Sequence, residues 1–210
     1  MPVDPTLERE LALFAQGSRV VIGLDEVGRG AMAGPVMVGA CAITPGVGEF
    51  PAGLRDSKLV SEKKRLALDP LVREWGVIAV GAASPAEIDQ YGITFSLGLA
   101  GKRALALLFE SGVDVGQAHI ILDGSHDWLS PALASPLPVT TAIKADQNCA
   151  SVAAASVAAK VERDALMAEL AVDFEAFGWA SNKGYGSAEH MRLIAEQGPT
   201  VHHRVTWVKK

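Results

Sequence analysis

The chain has 210 residues, 49% of them hydrophobic and 20% charged, which excludes a disordered segment and allows a sizeable buried core. This length suits one large domain, or one domain with a small appendage. The formal net charge of −5 argues against a general nucleic-acid binder. It does not exclude one, because cations bound by converging carboxylates would reverse the local sign of the potential.

The N-terminal residues, the lengths of the apolar runs and the two cysteines predict a cytoplasmic protein. Residues 1–10 are polar and acidic and lack the apolar segment of a secretory signal, and no apolar run approaches the roughly 18 residues that span a bilayer. Cys41 and Cys149 lie in mostly apolar surroundings without metal or redox spacing, so we expect two buried free thiols. We expect a soluble, cytoplasmic protein with no membrane association. Nothing in the sequence indicates an obligate oligomer, so we expect a monomer.

The N-terminal part predicts one helix followed by two strands. Residues 6–16 form the predicted helix, with Thr6 as its cap. The apolar residues 20–24 predict a buried strand that ends on Asp25, and residues 35–43 predict a second strand after a glycine-rich turn. Two successive strands indicate an antiparallel pair.

The next part alternates helices with one strand. After a loop over residues 44–60, Ser61 is predicted to cap a helix that begins with basic residues. Residues 77–83 predict a third strand, Ser84 and Pro85 predict the start of a short helix, and residues 94–111 predict a long amphipathic helix.

The C-terminal half predicts two strands followed mainly by helices. Residues 119–123 and 139–143 are the predicted strands, residues 149–174 and 189–197 the predicted helices, and residues 182–187 a loop. The whole pattern predicts an α/β fold with a mixed sheet flanked by helices. We expect one domain over residues 1–210, with a core at about 18–165 and a C-terminal helical part at about 166–210.

Acidic residues follow three of the predicted strands. Asp25 and Glu26 follow the first strand, Asp123 ends another, and Asp146 comes shortly after the strand over residues 139–143. Ligand sites of open α/β sheets gather at strand ends, and a cluster of carboxylates stays ionised only if cations neutralise it. Oxygen-only clusters select Mg²⁺ or Mn²⁺, and two such ions can clamp the attacking and leaving oxygens of a phosphodiester. Each aspartate taken alone is more often a turn or cap residue than a catalytic one.

The segment after the acidic pair, Gly28-Arg29-Gly30, is here called the GRG loop. Its glycines let the backbone approach a ligand closely, and its arginine offers a positive charge. The residues by themselves therefore predict a metal-dependent phosphoryl-transfer site, without a defined substrate.

Several motifs resemble, in order, those of the type 2 ribonucleases H, and most closely bacterial ribonuclease HII. The first is the run from Asp25 through the GRG loop to Val36. The matching segments that follow cover residues 56–59, 123–124, 144–146, 153–156, 159–164, 183–186 and 203–204. The resemblance spans about residues 20–204, and so many motifs in the right order make a chance match very rare.

The resemblance implies a ribonuclease H-like fold, with a five-stranded mixed sheet between helices and a C-terminal helical part. It implies that Asp25, Glu26, Asp123 and Asp146 are catalytic residues that bind two divalent cations, Mg²⁺ or Mn²⁺. The implied reaction is endonucleolytic hydrolysis of the RNA strand of RNA–DNA hybrids. Incision on the 5′ side of a single ribonucleotide embedded in duplex DNA is also implied, with 3′-hydroxyl and 5′-phosphate product ends.

The resemblance also implies substrate contacts. The backbone of Gly28, Arg29 and Gly30 can read the 2′-hydroxyl that distinguishes RNA from DNA. Tyr185 resembles a tyrosine that packs against the sugar at the RNA–DNA junction. Candidate phosphate contacts are Lys58, Lys183 and Arg204, although each can equally be a solvated surface charge.

Two segments depart from the usual family pattern. Residues 202–207 read His-His-Arg-Val-Thr-Trp, where many relatives carry two arginines followed by serine and phenylalanine, and Ser187 stands where threonine is frequent. These differences affect the rim of the substrate site, not the carboxylates.

Three alternatives remain open. Ribonuclease HIII resembles this core but has a large N-terminal substrate-binding domain, which we expect to be absent because the first predicted strand starts near Val20. A Mg²⁺-dependent phosphatase would explain the carboxylates but not the GRG loop with Tyr185. A non-catalytic nucleic-acid-binding module is disfavoured because the four carboxylate positions are intact.

Overall fold

The computed structural model describes residues 4–208 and is built around a five-stranded sheet in the order β3-β2-β1-β4-β5. The middle strand pairs antiparallel with β2 on one side and parallel with β4 on the other. The edge pairs are antiparallel for β2 with β3 and parallel for β4 with β5. This confirms the predicted mixed sheet and the antiparallel first pair. The strands are β1 Val20–Val27, β2 Val36–Ile43, β3 Val77–Ala83, β4 Ala118–Asp123 and β5 Val139–Ala142.

Helices cover both faces of the sheet. On one face, Leu97 and Leu108 of α4 share an apolar cluster with Ile22 and Leu24 of β1, whereas Val152 of α6 belongs to the cluster on the opposite face. None of the helices within residues 4–208 is long and apolar enough to cross a membrane. The helices are α1 Glu8–Ala15, α2 Glu62–Trp75, α3 Pro85–Tyr91, α4 Ile93–Glu110, α5 Ala145–Asn148, α6 Ala150–Asp173, α7 Trp179–Asn182, α8 Ala188–Gln197 and α9 Val205–Val208.

The predicted N-cap positions were correct more often than the predicted capping hydrogen bonds. Ser84 forms the predicted cap of α3 as a full capping box with Glu87. Ser61 is the N-cap residue of α2, but its hydroxyl accepts no capping hydrogen bond. Thr6 lies one residue before the N-cap position, which Leu7 occupies, but its hydroxyl accepts from the Glu8 N–H at 3.4 Å. The short helices α5, α7 and α9 were not predicted, since single turns carry no apolar periodicity.

The alanine-rich helix α6 lies unusually close to the sheet. A Cβ on Gly23 of β1 would overlap the backbone of Ser151, and one on Gly39 of β2 would overlap the carbonyl of Ala155. Glycine in the strands and small residues on the helix therefore allow backbone-to-backbone contact. This close approach brings the first turns of α6, including Ser156, behind the end of β1 where Asp25 lies.

The N-terminus of α6 is capped by a residue far away in the sequence. Its N-cap residue, Cys149, makes no side-chain capping bond. Instead, the carboxylate of Glu10 on α1 accepts hydrogen bonds from the backbone N–H of Ser151 at 2.9 Å and from its hydroxyl at 2.7 Å. Glu10 is fully buried, and burial raises its pKa despite these bonds. An acidic acceptor at a helix N-terminus is stabilising because it meets the positive end of the helix dipole.

We expect Glu10→Ala to lower the free energy of unfolding by about 1–2 kcal/mol, because it leaves a buried N–H and a buried hydroxyl without an acceptor. Urea unfolding followed by circular dichroism measures this loss. Glu8→Ala on the same helix is the matched control, since Glu8 is exposed, and it should change the stability by less than about 0.5 kcal/mol. Equal losses in the two variants would contradict the capping role.

The C-terminal helical part packs on the loop that follows β1. Met167 at the C-terminal half of α6 forms a cluster with Phe177, Trp179 and Leu193, and Ala33 of the loop belongs to the same cluster. Backbone hydrogen bonds from Met32 and Ala33 to the carbonyl of Gly184 join the two parts. The C-terminal helices thereby border the edge of the sheet at which the acidic residues lie.

Candidate active site

Two parallel strands bring the first three acidic residues to one edge of the sheet. The register pairs Leu24 of β1 with Leu122 of β4, so that Asp25 and Asp123 are the next residues on adjacent strands. Asp25 is 3% exposed, whereas Glu26 and Asp123 are partly exposed. Because the strands are parallel, their carboxyl ends coincide, and the predicted convergence of these residues follows from the topology.

The short helix α5 delivers the fourth carboxylate. After β5, Lys144 adopts a left-handed conformation with φ of 57°, which reverses the chain into α5. The N–H of Ala145 then donates to Asp123 Oδ1 at 2.7 Å, which fixes the next residue, Asp146, beside Asp123. Asp146 is 4% exposed, and the Lys58 Nζ lies 3.7 Å from its Oδ2.

Burial is the largest influence on the pKa values of Asp25 and Asp146, and repulsion from neighbouring carboxylates adds to it. Burial first, and then the charges of Glu26 and Asp123, raise the pKa of Asp25 well above its ordinary value. Burial and the charges of Asp123 and Asp56 raise the pKa of Asp146 to about 6. A hydrogen bond from Ser156 partly offsets the rise in the pKa of Asp25. The positive charge of Lys58 partly offsets the rise in the pKa of both aspartates.

Such a site has the donor chemistry for hard divalent cations. Within residues 4–208, no three carboxylate, imidazole or thiol groups are arranged as a formed metal-binding cluster. The four predicted ligands at this edge nevertheless all offer carboxylate oxygens, which suit Mg²⁺ and Mn²⁺. A cation would relieve the repulsion that raises the pKa values of Asp25 and Asp146. The donor set therefore fits the predicted ions.

The structure adds a further buried acid, Asp56, that the strand-end pattern could not reveal. It is 3% exposed and precedes a short helical turn over Ser57–Leu59. Its Oδ1 accepts from the Lys58 N–H at 2.9 Å, and its Oδ2 accepts from the Gln147 amide at 3.3 Å. Asp56 thus fixes the backbone of the lysine that faces Asp146. Its place in a loop gave no local signal of burial.

The GRG loop lies beside the acidic edge and leaves its middle exposed. Gly28 has φ of 77° and is buried, while Arg29 and Gly30 are exposed. The Arg29 Nη1 lies 3.5 Å from Glu26 Oε1, and 54% of the arginine side chain is accessible. A Cβ on Gly30 would meet no atom within 4 Å. The loop therefore presents an open backbone next to the carboxylates.

Arg204 differs from its predicted role as a phosphate contact. Its side chain is completely buried, and the guanidinium donates to the carbonyl oxygens of Arg29 at 2.7 Å and Gly28 at 2.6 Å, with a further bond to Gly34 at 3.2 Å. Burial, followed by the charge of Arg163, lowers its pKa to about 10. A side chain enclosed in this way cannot reach a phosphate, because its donors already bind the loop. The prediction for Arg204 was wrong.

The other predicted contacts lie around the same edge. Lys58 has 69% of its side chain exposed, whereas Lys183 is only 15% exposed and lies 3.6 Å from Glu62 Oε1. Tyr185 is 39% exposed, and its ring centroid is 5.5 Å from the guanidinium carbon of Arg163. Lys58 and Tyr185 therefore have side-chain surface exposed to solvent, whereas Lys183 has little.

A pair of buried histidines supports the segment that carries Tyr185. His203 Nδ1 accepts from the Thr200 N–H at 2.8 Å, so its proton is on Nε2, which lies 3.0 Å from His190 Nε2. His190 Nδ1 donates to the Tyr185 carbonyl at 2.8 Å, and the Trp179 indole N–H donates to His190 Nε2. Both imidazoles are therefore neutral, with every ring nitrogen partnered. His203, in the matching segment 203–204, is thus buried in the core of the C-terminal part.

Acid is expected to destabilise this pair. Burial and the neighbouring imidazoles lower the pKa of His203 to about 4, and burial lowers the pKa of His190. In the unfolded chain these histidines bind protons below about pH 6.5, whereas in the folded chain they stay neutral. The stability that the neutral pair contributes is therefore fully present above about pH 6.5. This contribution to the free energy of unfolding, about 2–3 kcal/mol, is lost as the pH falls from about 6.5 towards 4.

Urea unfolding at pH 7.0, 5.5 and 4.5 measures this pH dependence. His203→Gln should flatten the dependence between these values, whatever its effect at pH 7.0, because the titrating group is absent. His126→Gln, which replaces an exposed histidine, should keep the wild-type slope. A His203→Gln variant with the full wild-type slope would show that this pair does not govern acid stability.

Comparison with solved structures first defines the class of protein. The fold is similar to that of Bst-RNase HIII solved in complex with Mn²⁺, with a TM-score of 0.72 and 25% identity over 93% of this chain and 69% of that chain. It is also similar to ribonuclease H2 from Pyrococcus horikoshii OT3, with a TM-score of 0.67 and 25% identity over 90% of this chain and 93% of that one. The predicted ribonuclease H-like fold, including its C-terminal helical part, is confirmed.

Sequence comparison then gives the family. A sequence model of ribonuclease HII matches residues 22–210. Ribonuclease HII of Streptomyces coelicolor is 48% identical over 99% of this chain and 85% of its own length, and that of Gluconobacter oxydans is 42% identical over 93% and 91%. The chain belongs to the ribonuclease HII family. It is a type 2 ribonuclease H, a phosphodiester hydrolase that acts on RNA–DNA hybrids.

Proposed function

We propose that this nuclease is a metal-dependent endonuclease with two related substrates. It hydrolyses the RNA strand of RNA–DNA hybrids, and it incises 5′ of a single ribonucleotide embedded in duplex DNA, leaving 3′-hydroxyl and 5′-phosphate ends. The observation that carries this proposal is the convergence of Asp25, Glu26, Asp123 and Asp146 at one sheet edge, beside an exposed glycine-rich backbone.

Asp25, Glu26, Asp123 and Asp146 would hold two divalent cations, Mg²⁺ or Mn²⁺. When bound, these ions supply charge stabilisation for the phosphodiester oxygens and lower the pKa of a water nucleophile. The protein's own contribution is positioning. Asp123 holds α5 through the Ala145 N–H, and Lys58 limits the repulsion around Asp146. Glu26 and Asp123 are partly exposed and so would be accessible to a duplex.

The GRG loop is proposed to recognise the ribose. Neither the Arg29 nor the Gly30 N–H donates to an acceptor in residues 4–208, and both residues are exposed. Backbone donors of this kind can bind a 2′-hydroxyl, which deoxyribose lacks. Tyr185 offers an aromatic surface for the adjacent sugar, and its neighbour Arg163 holds the ring by a cation–π contact.

Phosphate contacts are proposed for a smaller set than the sequence predicted. Lys58 and Arg29 combine exposed side chains with places beside the carboxylates. Lys183 lies 3.6 Å from Glu62, whose side chain is 61% exposed. It would contact a phosphate if the phosphate replaced Glu62 as its partner. These cations position the duplex without reading its sequence.

We further propose that the chain acts as a single catalytic unit in the cytoplasm and as a monomer. The shared cluster between Ala33 and the C-terminal helices supports one unit, since the C-terminal part borders the acidic edge.

Incubation with a DNA duplex that contains one ribonucleotide tests the proposal, with Mg²⁺, Mn²⁺ and EDTA compared. We expect one cut on the 5′ side of the ribonucleotide with either metal and none with EDTA. End labelling of both products identifies the 3′-hydroxyl and the 5′-phosphate. An all-DNA duplex of the same sequence is the control and should stay intact. Cleavage in EDTA, or cleavage only of long hybrids, would contradict the corresponding part of the proposal.

A phosphatase acting on small phosphoesters is the alternative that remains to be tested. Its substrate would not need the GRG loop or Tyr185. Hydrolysis of a chromogenic phosphomonoester at a rate comparable to cleavage of the hybrid would favour it. We expect no such hydrolysis.

A further inference from the structure

Within residues 4–208, the guanidinium groups of two buried arginines, Arg163 and Arg204, donate hydrogen bonds only to backbone carbonyl groups. Both side chains are completely inaccessible to solvent. Arg163 donates to the carbonyl oxygens of Pro35 at 3.0 Å, Ala33 at 3.1 Å and Lys183 at 2.9 Å. Within residues 4–208, neither guanidinium forms an ion pair with a carboxylate. Burial of a cation without a counter-ion costs several kcal/mol unless its donors are satisfied, as they are here.

The bonds of Arg204, together with a hydrogen bond from the Ala31 N–H to the Gly28 carbonyl at 3.2 Å, orient the peptide groups of the GRG loop. In a trans peptide, the carbonyl and the N–H point in opposite directions. Arg204 binds the carbonyl of Gly28, which belongs to the same peptide as the Arg29 N–H, and the carbonyl of Arg29, which belongs to the same peptide as the Gly30 N–H. Both carbonyls therefore point into the protein, and both N–H groups point the other way.

Arg163 connects this loop to the segment that carries Tyr185. It binds the chain just after the GRG loop, at Ala33 and Pro35, and the chain just before Tyr185, at Lys183. Its guanidinium carbon also lies 5.5 Å from the centroid of the tyrosine ring. Gly28 completes the arrangement, because a Cβ at that position would overlap the Arg163 Nε.

We propose that Arg204 and Arg163 are positioning residues for ribose recognition. Arg204 directs the Arg29 and Gly30 N–H groups towards the substrate, and Arg163 sets the separation between these donors and the Tyr185 ring. Neither residue touches the nucleic acid. This inference rests on the proposed function, because it assigns the means by which the GRG loop and Tyr185 select a single ribonucleotide.

Lysine substitutions test the inference, because lysine keeps the charge and loses the planar fork that binds several carbonyls at once. For Arg204→Lys and Arg163→Lys, we expect kcat/KM on the single-ribonucleotide duplex to fall about a hundredfold, as misplacement by about 1 Å can cause. Mn²⁺ affinity, measured by isothermal titration, should stay within twofold, because the carboxylates are untouched. Arg103→Lys is the matched control: Arg103 also donates to a backbone carbonyl, that of Ala82, but lies elsewhere, and it should keep full activity.

An amide measurement on the wild-type protein removes any dependence on variant folding. In ¹⁵N-labelled protein with EDTA, the Arg29 and Gly30 amide resonances should shift on addition of the single-ribonucleotide duplex, and not on addition of the all-DNA duplex. Lysine variants with wild-type kcat/KM would overturn this inference alone, whereas equal shifts with both duplexes would overturn it together with ribose recognition by the GRG loop. A wild-type enzyme that leaves the single ribonucleotide uncut would instead overturn the proposed function.

Discussion

Asp123→Asn is expected to reduce the rate of RNA cleavage at least about a thousandfold, because it removes a charge that would bind the cations of phosphodiester hydrolysis. The substitution removes the negative charge but keeps the size and shape of the side chain. Asparagine keeps a carbonyl oxygen that can accept from the Ala145 N–H, the bond that holds α5 and Asp146 in place. Single-turnover cleavage of a labelled RNA–DNA hybrid at saturating Mg²⁺ measures the loss.

Binding of the hybrid should survive this substitution. Fluorescence anisotropy in EDTA is expected to give a Kd within a few-fold of wild type, because the GRG loop and Lys58 are unchanged. Asp114→Asn is the matched control, since Asp114 is an exposed aspartate just before β4, the strand that Asp123 ends. Near-normal turnover of Asp123→Asn would rule out the proposed metal site, and loss of binding as well would indicate a folding defect.

Tyr185→Ala is expected to reduce cleavage at a single embedded ribonucleotide by about tenfold to a hundredfold, the effect of losing one aromatic contact worth about 1–3 kcal/mol. The backbone should stay in place. The Tyr185 N–H donates to the Asn182 carbonyl, and its own carbonyl accepts from His190, so that neither bond needs the ring. Long RNA–DNA hybrids, which offer many ribose contacts, should lose less activity.

The comparison of both substrates in the same variant measures this selectivity. Tyr185→Phe should retain most of the activity if the ring surface is what contacts the sugar. Tyr91→Ala removes the other tyrosine of the chain, which is 49% exposed, and should leave both activities unchanged. An equal loss on long hybrids and on the single ribonucleotide would argue against a role at the RNA–DNA junction.

The sequence predicted the strands well because their signals are local. The apolar runs gave the start of β1 at Val20 and the end of β4 at Asp123 to the residue, whereas β1 continues two residues past the predicted end at Asp25, to Val27. The parallel pairing of these strands then placed Asp25 beside Asp123. The helix caps were less reliable, because a serine or threonine before a helix has to compete with other conformations of the same turn. The capping of α6 by Glu10 lay beyond any local pattern, since 141 positions separate the two partners.

For the substrate side of the site, the sequence named the right segments and misassigned one side chain. Arg204 stands in an exposed-looking basic tail, yet the fold places it under the GRG loop, 176 positions from Gly28. Arg163 was part of a recognised motif without an assigned role, and Asp56 lay in a loop without a burial signal. Each of these roles depends on which distant backbone groups surround the side chain.

The sequence by itself determined the acidic strand ends, the glycine-flanked arginine and the family to which the chain belongs. These features lie within a few residues of one another or recur in a fixed order, so that they can be recognised without coordinates. Only the tertiary structure decided which cations face the substrate and which hold the loop from beneath. Arg29 and Arg204 are the same residue type, but one has 54% of its side chain in solvent and the other has none. That difference arises from the packing of the C-terminal helices against the loop after β1, because burial is a property of the folded chain.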